Sequence, residues 1–306
     1  MKKKSILILL ALCLLLTVGC SSPNTEEATE SPEVSEPVVT EEFIPGLVEP
    51  DPVGDDIVLV IFGDGVEAQT NWTLADLQAL DEGLVDATFS TTNNWPSFAT
   101  MAGIGVSLPY LLEKAGILPD AQSLAFSAPD GYQALATREQ VFDTRYTYTE
   151  HTAEQSSGSQ PVDAIIAWAW GNDEAKPEAI RPLFGQLGPR DVNTASSVKD
   201  LYRIEVSVLS LNPWATPEGS IPSGSTVSAG TELELSHPQM DNTRLYYTLD
   251  GSAPNYESEV YNRSATYYQP ELIEPIILNE SVTVRVFAGG LGRPDSEITT
   301  LEYIVE

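Results

Sequence analysis

The stretch "GVSLPYLLEKAG", residues 105–116, has the clearest helical pattern in the chain. Ser107 stands at the expected N-cap, and Pro109 lies in the first turn, where a missing N–H costs little. Gly116 ends the segment because glycine adopts the left-handed conformation of a helix stop without strain. We therefore predict a short helix with one apolar stripe packed in a core. The stripe consists of Leu108, Leu111, Leu112 and Ala115.

Strand-like segments surround this helix. Residues 57–62 read "IVLVIF", a continuous apolar run that ends in a glycine-rich turn and predicts a buried strand. A second short helix follows, with Thr73 as its cap and Asp76 at the third position after the cap. Further strands are predicted at 123–127, 164–170 and 202–209.

The pattern changes to strands alone after residue 227. Alternating segments separated by turn residues, Asp250 and Gly251 among them, favour an antiparallel sandwich. The Pro-, Gly- and Ser-rich stretch "LNPWATPEGSIPSGS" precedes them and is typical of a linker. The predicted fold class is α+β, mainly β. Its parts are a mixed first domain over 55–209, a linker over 210–226, and an all-β second domain over 227–306.

The N-terminus has the layout of an export signal. Three lysines precede an apolar run that is too short to span a bilayer, and Cys20 follows Gly19. The segment resembles a bacterial lipoprotein signal, which implies that residues 1–19 are removed and that Cys20 carries lipid. Residues 20–54 are rich in Glu, Pro, Ser and Thr and are expected to form a disordered tether. The expected location is extracytoplasmic, anchored to the cell membrane through Cys20.

Composition excludes several kinds of chemistry. The chain has two cysteines; if Cys13 leaves with the signal and Cys20 is lipidated, no thiol remains for catalysis, disulfide formation or metal binding. The two histidines, His151 and His237, lie in separate regions, which gives little support to a zinc site or a Ser-His-Asp relay. We therefore expect no metal site.

The chain is strongly acidic, with 15 basic and 45 acidic residues and a formal net charge of -30. Loss of Lys2, Lys3 and Lys4 with the signal would leave 12 basic residues and a net charge near -33. Such a surface repels nucleic acid, so no nucleic-acid partner is expected. Solubility of an exported protein is the simplest use of this charge.

Three segments of the first domain resemble the molybdopterin-binding domain of the sulfite oxidase family. They are "GVSLPYLLEKAG", "LAFSAPDGYQALATREQVF" and "SVKDLYRIEV", in the family's order and with similar spacing. The resemblance implies a sulfite-oxidase-like fold with a cofactor loop before the helix, where a cysteine thiolate binds molybdenum. In this chain the matching loop lies in "FSTTNNWPSF", residues 89–98, and Ser90 stands where the family has cysteine.

The resemblance carries four candidate cofactor-binding residues onto this sequence: Ser90, Asn93, Asp130 and Lys199. A serine hydroxyl is a much poorer molybdenum ligand than a thiolate. Asn94 and Trp95 also replace the basic residues that usually follow in the family and bind an oxyanion. Local hydrogen bonds that hold a loop or a turn are the competing explanation for these polar residues. We expect neither a bound cofactor nor a catalytic residue.

The second domain resembles the C-terminal module of chitobiase and β-hexosaminidase. The matching stretches are "YYTLDGSAPNYESEVY" and "VTVRVFAGGLGRPDSEITTLEYIV". The resemblance implies an immunoglobulin-like sandwich that accompanies catalytic domains and is not itself the hydrolase. Glu257 and Glu259 alternate in a loop, where they are better explained as solvated charge than as a glycosidase pair.

These observations favour a lipid-anchored extracytoplasmic protein whose degenerate molybdopterin-oxidoreductase-like domain is non-catalytic and serves in binding or scaffolding. The alternative is a molybdopterin-dependent oxidoreductase of the sulfite oxidase type with altered metal ligation, so enzyme activity is left open. A cell-surface protein or a glycan would be the partner. Strand aromatics more often form cross-strand pairs than binding surfaces. The candidate glycan-stacking residues are Trp214, Tyr246, Tyr247, Tyr267 and Tyr268.

Overall fold

The computed structural model describes residues 41–95, 97–149 and 159–306. Cys13, Cys20 and His151 lie outside these ranges, as do the predicted signal and residues 20–40 of the predicted tether. Residues 41–306 form one compact unit that is mainly β, and the described part has three α-helices of five to seven residues. Within the described ranges, every helix falls short of the length and hydrophobicity that a membrane span requires.

The first large sheet contains five strands, and the predicted apolar run at 57–62 is one of them. They are β1 (Ile57–Phe62), β2 (Thr70–Thr73), β5 (Ser123–Ser127), β6 (Gln133–Thr137) and β11 (Arg203–Ser207). Their order across the sheet is β2-β1-β11-β5-β6. β1 and β11 run parallel, and every other neighbouring pair is antiparallel.

The second large sheet is antiparallel throughout and has the order β10-β9-β4-β3, where the strands are β3 (Leu84–Thr92), β4 (Phe98–Ser107), β9 (Ile165–Gly171) and β10 (Lys176–Leu183). β3 and β4 form a long hairpin, so the first four residues of the predicted cofactor loop, 89–92, belong to β3. A separate ribbon is made by β7 (Arg145–Tyr148) and β8 (Ser159–Val162).

Three helices connect these strands: α1 (Leu74–Gln78), α2 (Leu108–Lys114) and α3 (Arg138–Phe142). The predicted cap of α1 is confirmed, since Thr73 and Asp76 form a reciprocal capping box. The predicted cap of α2 is wrong in its chemistry: Ser107 occupies the N-cap position, but its hydroxyl donates to Asp163 Oδ2 at 3.2 Å and makes no bond to the helix. Gly116 has a φ of 77°, as a helix stop requires.

A single apolar core joins the two large sheets. The stripe of α2 is fully buried in it, as predicted, and packs with side chains such as Leu59 of β1, Phe126 of β5 and Ile166 of β9. Leu291, from the second domain, is buried in this same core. The first domain therefore completes its core with a residue from beyond the predicted linker.

The second domain is all β, as predicted, apart from one short 3₁₀ turn at Pro270–Leu272. Its main sheet has the order β13-β20-β19-β16-β17, and two ribbons, β12-β15 and β14-β18, accompany it. Gly251, three residues after the end of β16, has a φ of 77°, which confirms the predicted turn. The strands are β12 (Glu218–Gly219), β13 (Ser225–Val227), β14 (Thr231–Leu233), β15 (Leu235–Ser236), β16 (Arg244–Thr248), β17 (Glu259–Val260), β18 (Ile276–Leu278), β19 (Val282–Gly289) and β20 (Thr299–Val305).

The compact unit begins at Glu41, earlier than the domain start predicted at residue 55. Phe43 is buried, and its N–H donates to the Ser210 carbonyl at 2.9 Å. Glu42 forms an ion pair with Arg293 at 2.7 Å. The last part of the predicted tether therefore packs on the domains, because a buried phenylalanine ring outweighs the polar composition around it.

The predicted linker is packed as well. Leu211 and Trp214 are buried, and the Trp214 N–H donates to the Pro294 carbonyl at 3.0 Å. The indole N–H of Trp214 lies 3.3 Å from the Gly290 carbonyl. Residues 210–226 are thus a fixed connection, which is why residues 41–306 behave as one unit.

Candidate functional site

Ser90 lies inside strand β3, with 0% of its surface exposed. Its hydroxyl donates to Gln186 Oε1 at 2.5 Å and accepts the backbone N–H of Tyr148 at 2.9 Å. Its own N–H donates to the Thr147 hydroxyl at 2.9 Å. The prediction of a loop position is therefore corrected: Ser90 is a buried strand residue whose hydroxyl already serves two protein groups.

A buried polar network continues from Ser90 toward residues 184–193. The amide of Gln186 donates to the Thr92 hydroxyl at 3.0 Å and to the Asp191 carbonyl at 2.5 Å. The amide of Asn193 donates to the Ser90 carbonyl at 2.9 Å and accepts the Thr92 N–H at 3.0 Å. These bonds attach the end of β3 to the chain that leads into β11.

An ion pair lies at the centre of this network. Arg145 Nη1 is 3.2 Å from Asp191 Oδ2, and both side chains are buried to within 2%. Burial raises the pKa of the Asp191 carboxyl, while the charge of Arg145 and then that of Arg244 oppose the increase. Arg244 belongs to β16, so the second domain contributes positive charge to this carboxylate. Sequence reasoning missed the group, because the spacing of these residues carries no signal.

The other three candidates occupy separate turns. Asn93 Oδ1 accepts the Ser97 hydroxyl at 3.1 Å, and Asp130 Oδ1 accepts the backbone N–H two residues later at 2.8 Å. Lys199 is exposed, with its ammonium 5.9 Å from the Trp170 ring. Among the described residues, no hydrogen bond or ion pair joins any two of the four candidates. Asn93 and Asp130 thus hold turns, as the competing explanation expected.

The residues present do not fit a molybdopterin site. To bind a metal as an alkoxide, Ser90 would have to give up the proton that it donates to Gln186, and the metal would have to reach an oxygen that is fully buried and already accepts the Tyr148 N–H. The sequence offers no thiol after Cys20. In the part of the chain that the structure describes, no group of three or more His, Cys, Asp or Glu side chains could hold a metal ion.

The turn between β3 and β4 contacts the second domain. The Asn94 carbonyl accepts the Ala265 N–H at 3.0 Å and lies 3.4 Å from the Ser264 hydroxyl. The guanidinium of Arg244 lies 3.5 Å from the Asn93 carbonyl. The stretch that the resemblance assigns to a cofactor loop therefore serves as a contact between the domains.

Three exposed aromatic rings continue outward from this turn. Trp95 lies 5.1 Å from Tyr268 in an edge-on arrangement, and Tyr268 lies 4.5 Å from Tyr267. The exposed fractions of Trp95, Tyr267 and Tyr268 are 47%, 63% and 45%. We call this row the aromatic ridge; both domains contribute to it.

A cleft of about 340 Å³ lies next to the ridge, between the two domains. Asn94, which precedes Trp95, lines this interdomain cleft together with Gln239 and Asn242. The side-chain amides of Gln239 and Asn242 make no hydrogen bond within the described part of the chain. Further walls of the cleft are formed by Tyr132, Gln133, Trp214 and Arg293.

The structure separates the five aromatic residues that were candidates for glycan stacking. Trp214 and Tyr246 are buried, so neither presents an exposed ring face for stacking, although Trp214 also forms part of the cleft wall. Tyr246 pairs directly with Phe287 on the neighbouring strand and stacks on its ring at 5.2 Å. Tyr247 is half-buried on the same strand. The exposed members are Tyr267 and Tyr268, and Trp95 joins them.

The comparisons with known proteins support one of the two resemblances. Residues 221–300 match the family model described as the chitobiase/beta-hexosaminidase C-terminal domain, which confirms the predicted family of the second domain. A search of curated proteins found no match. The crystal structure of the sulfane dehydrogenase SoxCD from Paracoccus pantotrophus is similar over 75% of this chain and 66% of that chain, with 14% identity and a TM-score of 0.36. Similarity at that level carries no argument about the first domain.

Proposed function

We propose that this protein is a lipid-anchored extracytoplasmic protein whose first domain is non-catalytic and serves in binding or scaffolding. On this proposal, the first domain is a degenerate member of the sulfite-oxidase type that has kept the fold and lost the cofactor. The observation that carries the proposal is the burial of Ser90, whose hydroxyl holds Gln186 and the Tyr148 N–H. Ligation of a metal by a Ser90 alkoxide would remove the proton donated to Gln186 and leave that buried side-chain oxygen without its donor, at a cost of about 1–3 kcal/mol.

The surroundings of Ser90 support the same proposal. Asn93 and Asn94 use their carbonyls to contact the second domain, so the turn is held in place by protein. Asp130 and Lys199 lie on separate turns and do not complete a cofactor site with Ser90. Structural roles for these residues fit a fold that has outlasted its cofactor site, because a fold by itself does not imply a function.

The test is metal and pterin analysis of the purified protein from a host that makes molybdopterin. We expect the wild-type protein, Ser90→Ala and Ser90→Cys to lack molybdenum and pterin, and Ser90→Cys to lack sulfite-oxidising activity because no anion pocket accompanies the thiol. A molybdenum-loaded sulfite oxidase expressed in the same host controls for cofactor supply. Stoichiometric molybdenum and pterin in the wild-type protein, lost in Ser90→Ala, would establish the oxidoreductase alternative.

The proposed membrane anchor has its own test. Because a lipid on Cys20 would be the anchor, Cys20→Ser should release the protein from the membrane fraction. Cys13→Ser is the matched control, since Cys13 lies within the predicted signal and should leave the fractionation unchanged. Retention of the Cys20→Ser protein in the membrane fraction would refute lipid anchoring at this residue.

A further inference from the structure

We propose that the aromatic ridge and the interdomain cleft together bind a neutral oligosaccharide chain. This inference rests on the proposed binding role and names the ligand class for it. It is independent of the metal analysis, because neither the ridge nor the cleft includes Ser90 or the buried ion pair.

The ridge supplies stacking surface. Exposed aromatic rings in contact with one another form an apolar patch that a soluble protein rarely leaves without use. Trp95, Tyr267 and Tyr268 combine flat apolar faces with polar edges and have few torsions to restrain on binding. The C–H face of a sugar ring is also flat and apolar, with hydroxyls at its rim, and so matches such a row.

The cleft supplies hydrogen bonds. Each carboxamide offers two N–H donors and a carbonyl acceptor, which suits hydroxyl groups that both donate and accept. The side-chain amides of Gln239 and Asn242 form no hydrogen bond with any described residue, and both residues line the cleft. Asn94 and Trp95 are consecutive, so a chain stacked on the ridge can place further sugar units against these amides.

Charge favours a neutral ligand. The net charge of -30 disfavours an anionic chain. The positive group at the cleft, Arg293, is already paired with Glu42 at 2.7 Å. At the base of the ridge, the Asp241 carboxylate accepts the Thr266 N–H at 2.5 Å and its hydroxyl at 2.8 Å, so it is engaged by protein.

The ring geometry distinguishes a sugar site from a cation cage. A cage for a quaternary ammonium group needs rings that surround a common point, with the cation over their faces. Here neighbouring rings touch each other in a row, at centroid distances of 5.1 and 4.5 Å. Their planes also differ by 72° and 48°, which suits a single twisted chain better than the flat face of a crystalline polysaccharide.

The experiment is titration calorimetry of the detergent-solubilised full-length protein with soluble hexasaccharides. The probes are β-1,4-linked chains of glucose, of N-acetylglucosamine and of mannose. We expect at least one of them to bind, and we expect Trp95→Ala and Tyr267→Ala each to weaken that binding by about tenfold or more, since aromatic residues dominate such contacts. Asn242→Ala should weaken it by a smaller factor, because it removes hydrogen bonds without a stacking face.

Ile304→Ala is the matched control. Ile304 is another exposed apolar residue, in β20 and outside both ridge and cleft, so its variant should bind like the wild type. Tyr267→Ala keeps the test valid if Trp95→Ala loosens the contact between the domains, because Tyr267 has a ring contact only with Tyr268 among the described aromatics.

The proposal is overturned if none of the three hexasaccharides binds, or if the Trp95 and Tyr267 variants bind as tightly as the wild type. Binding of choline in place of the sugars, lost in the same variants, would also overturn it in favour of a cation site. A metal-free protein that binds no sugar refutes this inference alone. A molybdenum-containing protein that binds sugar refutes the non-catalytic function and leaves the site intact.

Discussion

The Ser90 hydroxyl connects chain segments that are far apart in sequence. If Ser90 lay in a loop, Ser90→Ala would cost about 1 kcal/mol, the net value of one hydrogen bond. Because Ser90→Ala would leave the Gln186 side chain and the Tyr148 N–H buried without the partner that the structure gives them, we predict a loss of about 2–4 kcal/mol in the free energy of unfolding.

Denaturant titration measures this loss, and Thr91→Ala is the control. The Thr91 hydroxyl makes one longer bond of 3.3 Å to Ala99, near the surface, so its removal should cost well under half as much. Equal losses for the two variants would contradict the structural role assigned to Ser90.

The buried ion pair should behave differently from the surface ones. Asp191→Asn leaves the Arg145 charge without its partner, and we expect a loss of about 3–5 kcal/mol in the free energy of unfolding. The double variant Arg145→Met/Asp191→Leu removes both charges and should recover part of the lost free energy of unfolding.

Glu174→Gln is the control for the ion pair. Glu174 and Lys176 form a pair at 3.9 Å and are both largely exposed, so the free energy of unfolding should change by only about 0–1 kcal/mol. Unfolding by urea compares the variants. A small loss in Asp191→Asn would mean that the pair contributes little to stability.

The sequence could not have revealed these residue roles. Ser90 and Gln186 are 96 positions apart in the sequence, and a serine in a polar stretch has the same signal in a loop and in a strand. Trp95 was interpreted as the loss of a basic residue. A tryptophan at a polar turn could itself have suggested an exposed contact, but its neighbour Tyr268 comes from the other domain.

At the scale of elements, the sequence predicts a helix or strand correctly where the apolar pattern of the segment alone determines which side chains are buried. The run at β1 and the stripe of α2 were predictable because apolar periodicity determines their burial. The hairpin of β3 and β4 was not predictable, because its polar residues form hydrogen bonds with buried groups that are distant in the sequence. β10 contains Pro177 and Pro182, which argue against a central strand, but β10 is the edge strand of its sheet, where proline is tolerated.

The helix caps give a test at this scale. Thr137 caps α3 with a full capping box, in which Gln140 is the reciprocal partner, whereas the Ser107 hydroxyl makes no bond to α2. We therefore expect Thr137→Ala to cost about 0.5–2 kcal/mol and Ser107→Ala to cost less. Thermal unfolding of both variants measures the difference. A larger loss in Ser107→Ala would contradict the expectation that its bond to Asp163 stabilises the protein less than the capping box of α3 does.

On the scale of the whole molecule, composition predicts two domains joined by a linker, whereas residues 41–306 form one compact unit. The side chain of Gln140 donates to the carbonyls of Gly290 and Arg293 and accepts the Gly292 N–H, and Leu291 enters the core of the first domain. Such contacts depend on which surfaces of the two domains face each other. The composition of the connecting segment does not predict this. We infer that the two domains unfold together.

The N-terminal boundary can be tested by two truncations. Deletion of residues 21–40 should leave the melting temperature within about a degree or two, because a segment of this composition is not expected to bury apolar surface. Deletion of 21–54 also removes Phe43 and the Glu42–Arg293 pair and should lower it by several degrees, since burial of such a ring contributes about 1.5–3 kcal/mol. Equal melting temperatures for the two deletions would support a tether that extends to residue 54.

A pH dependence follows from Asp295, between β19 and β20. Burial of the carboxyl group raises its pKa from 3.8 to about 6, although the hydrogen bond from Tyr256, 2.6 Å long, opposes the increase. The Asp295 carboxyl group therefore binds a proton more readily in the folded protein than in the unfolded chain. Its contribution to stability is complete below about pH 4 and is lost as the pH rises through about 6.

Asp295→Asn should remove this dependence, because the amide carries no charge at any pH in the range. Relative to the wild type, the variant should gain stability between pH 4.5 and pH 7, and urea unfolding at both values measures the gain. The gain is expected to be small, since much of the residue is exposed to solvent. Glu302→Gln, also exposed, controls for the change in net charge of an acidic protein. If both variants respond equally to pH, the general repulsion among 45 acidic residues, and not the burial of this carboxyl group, determines the dependence.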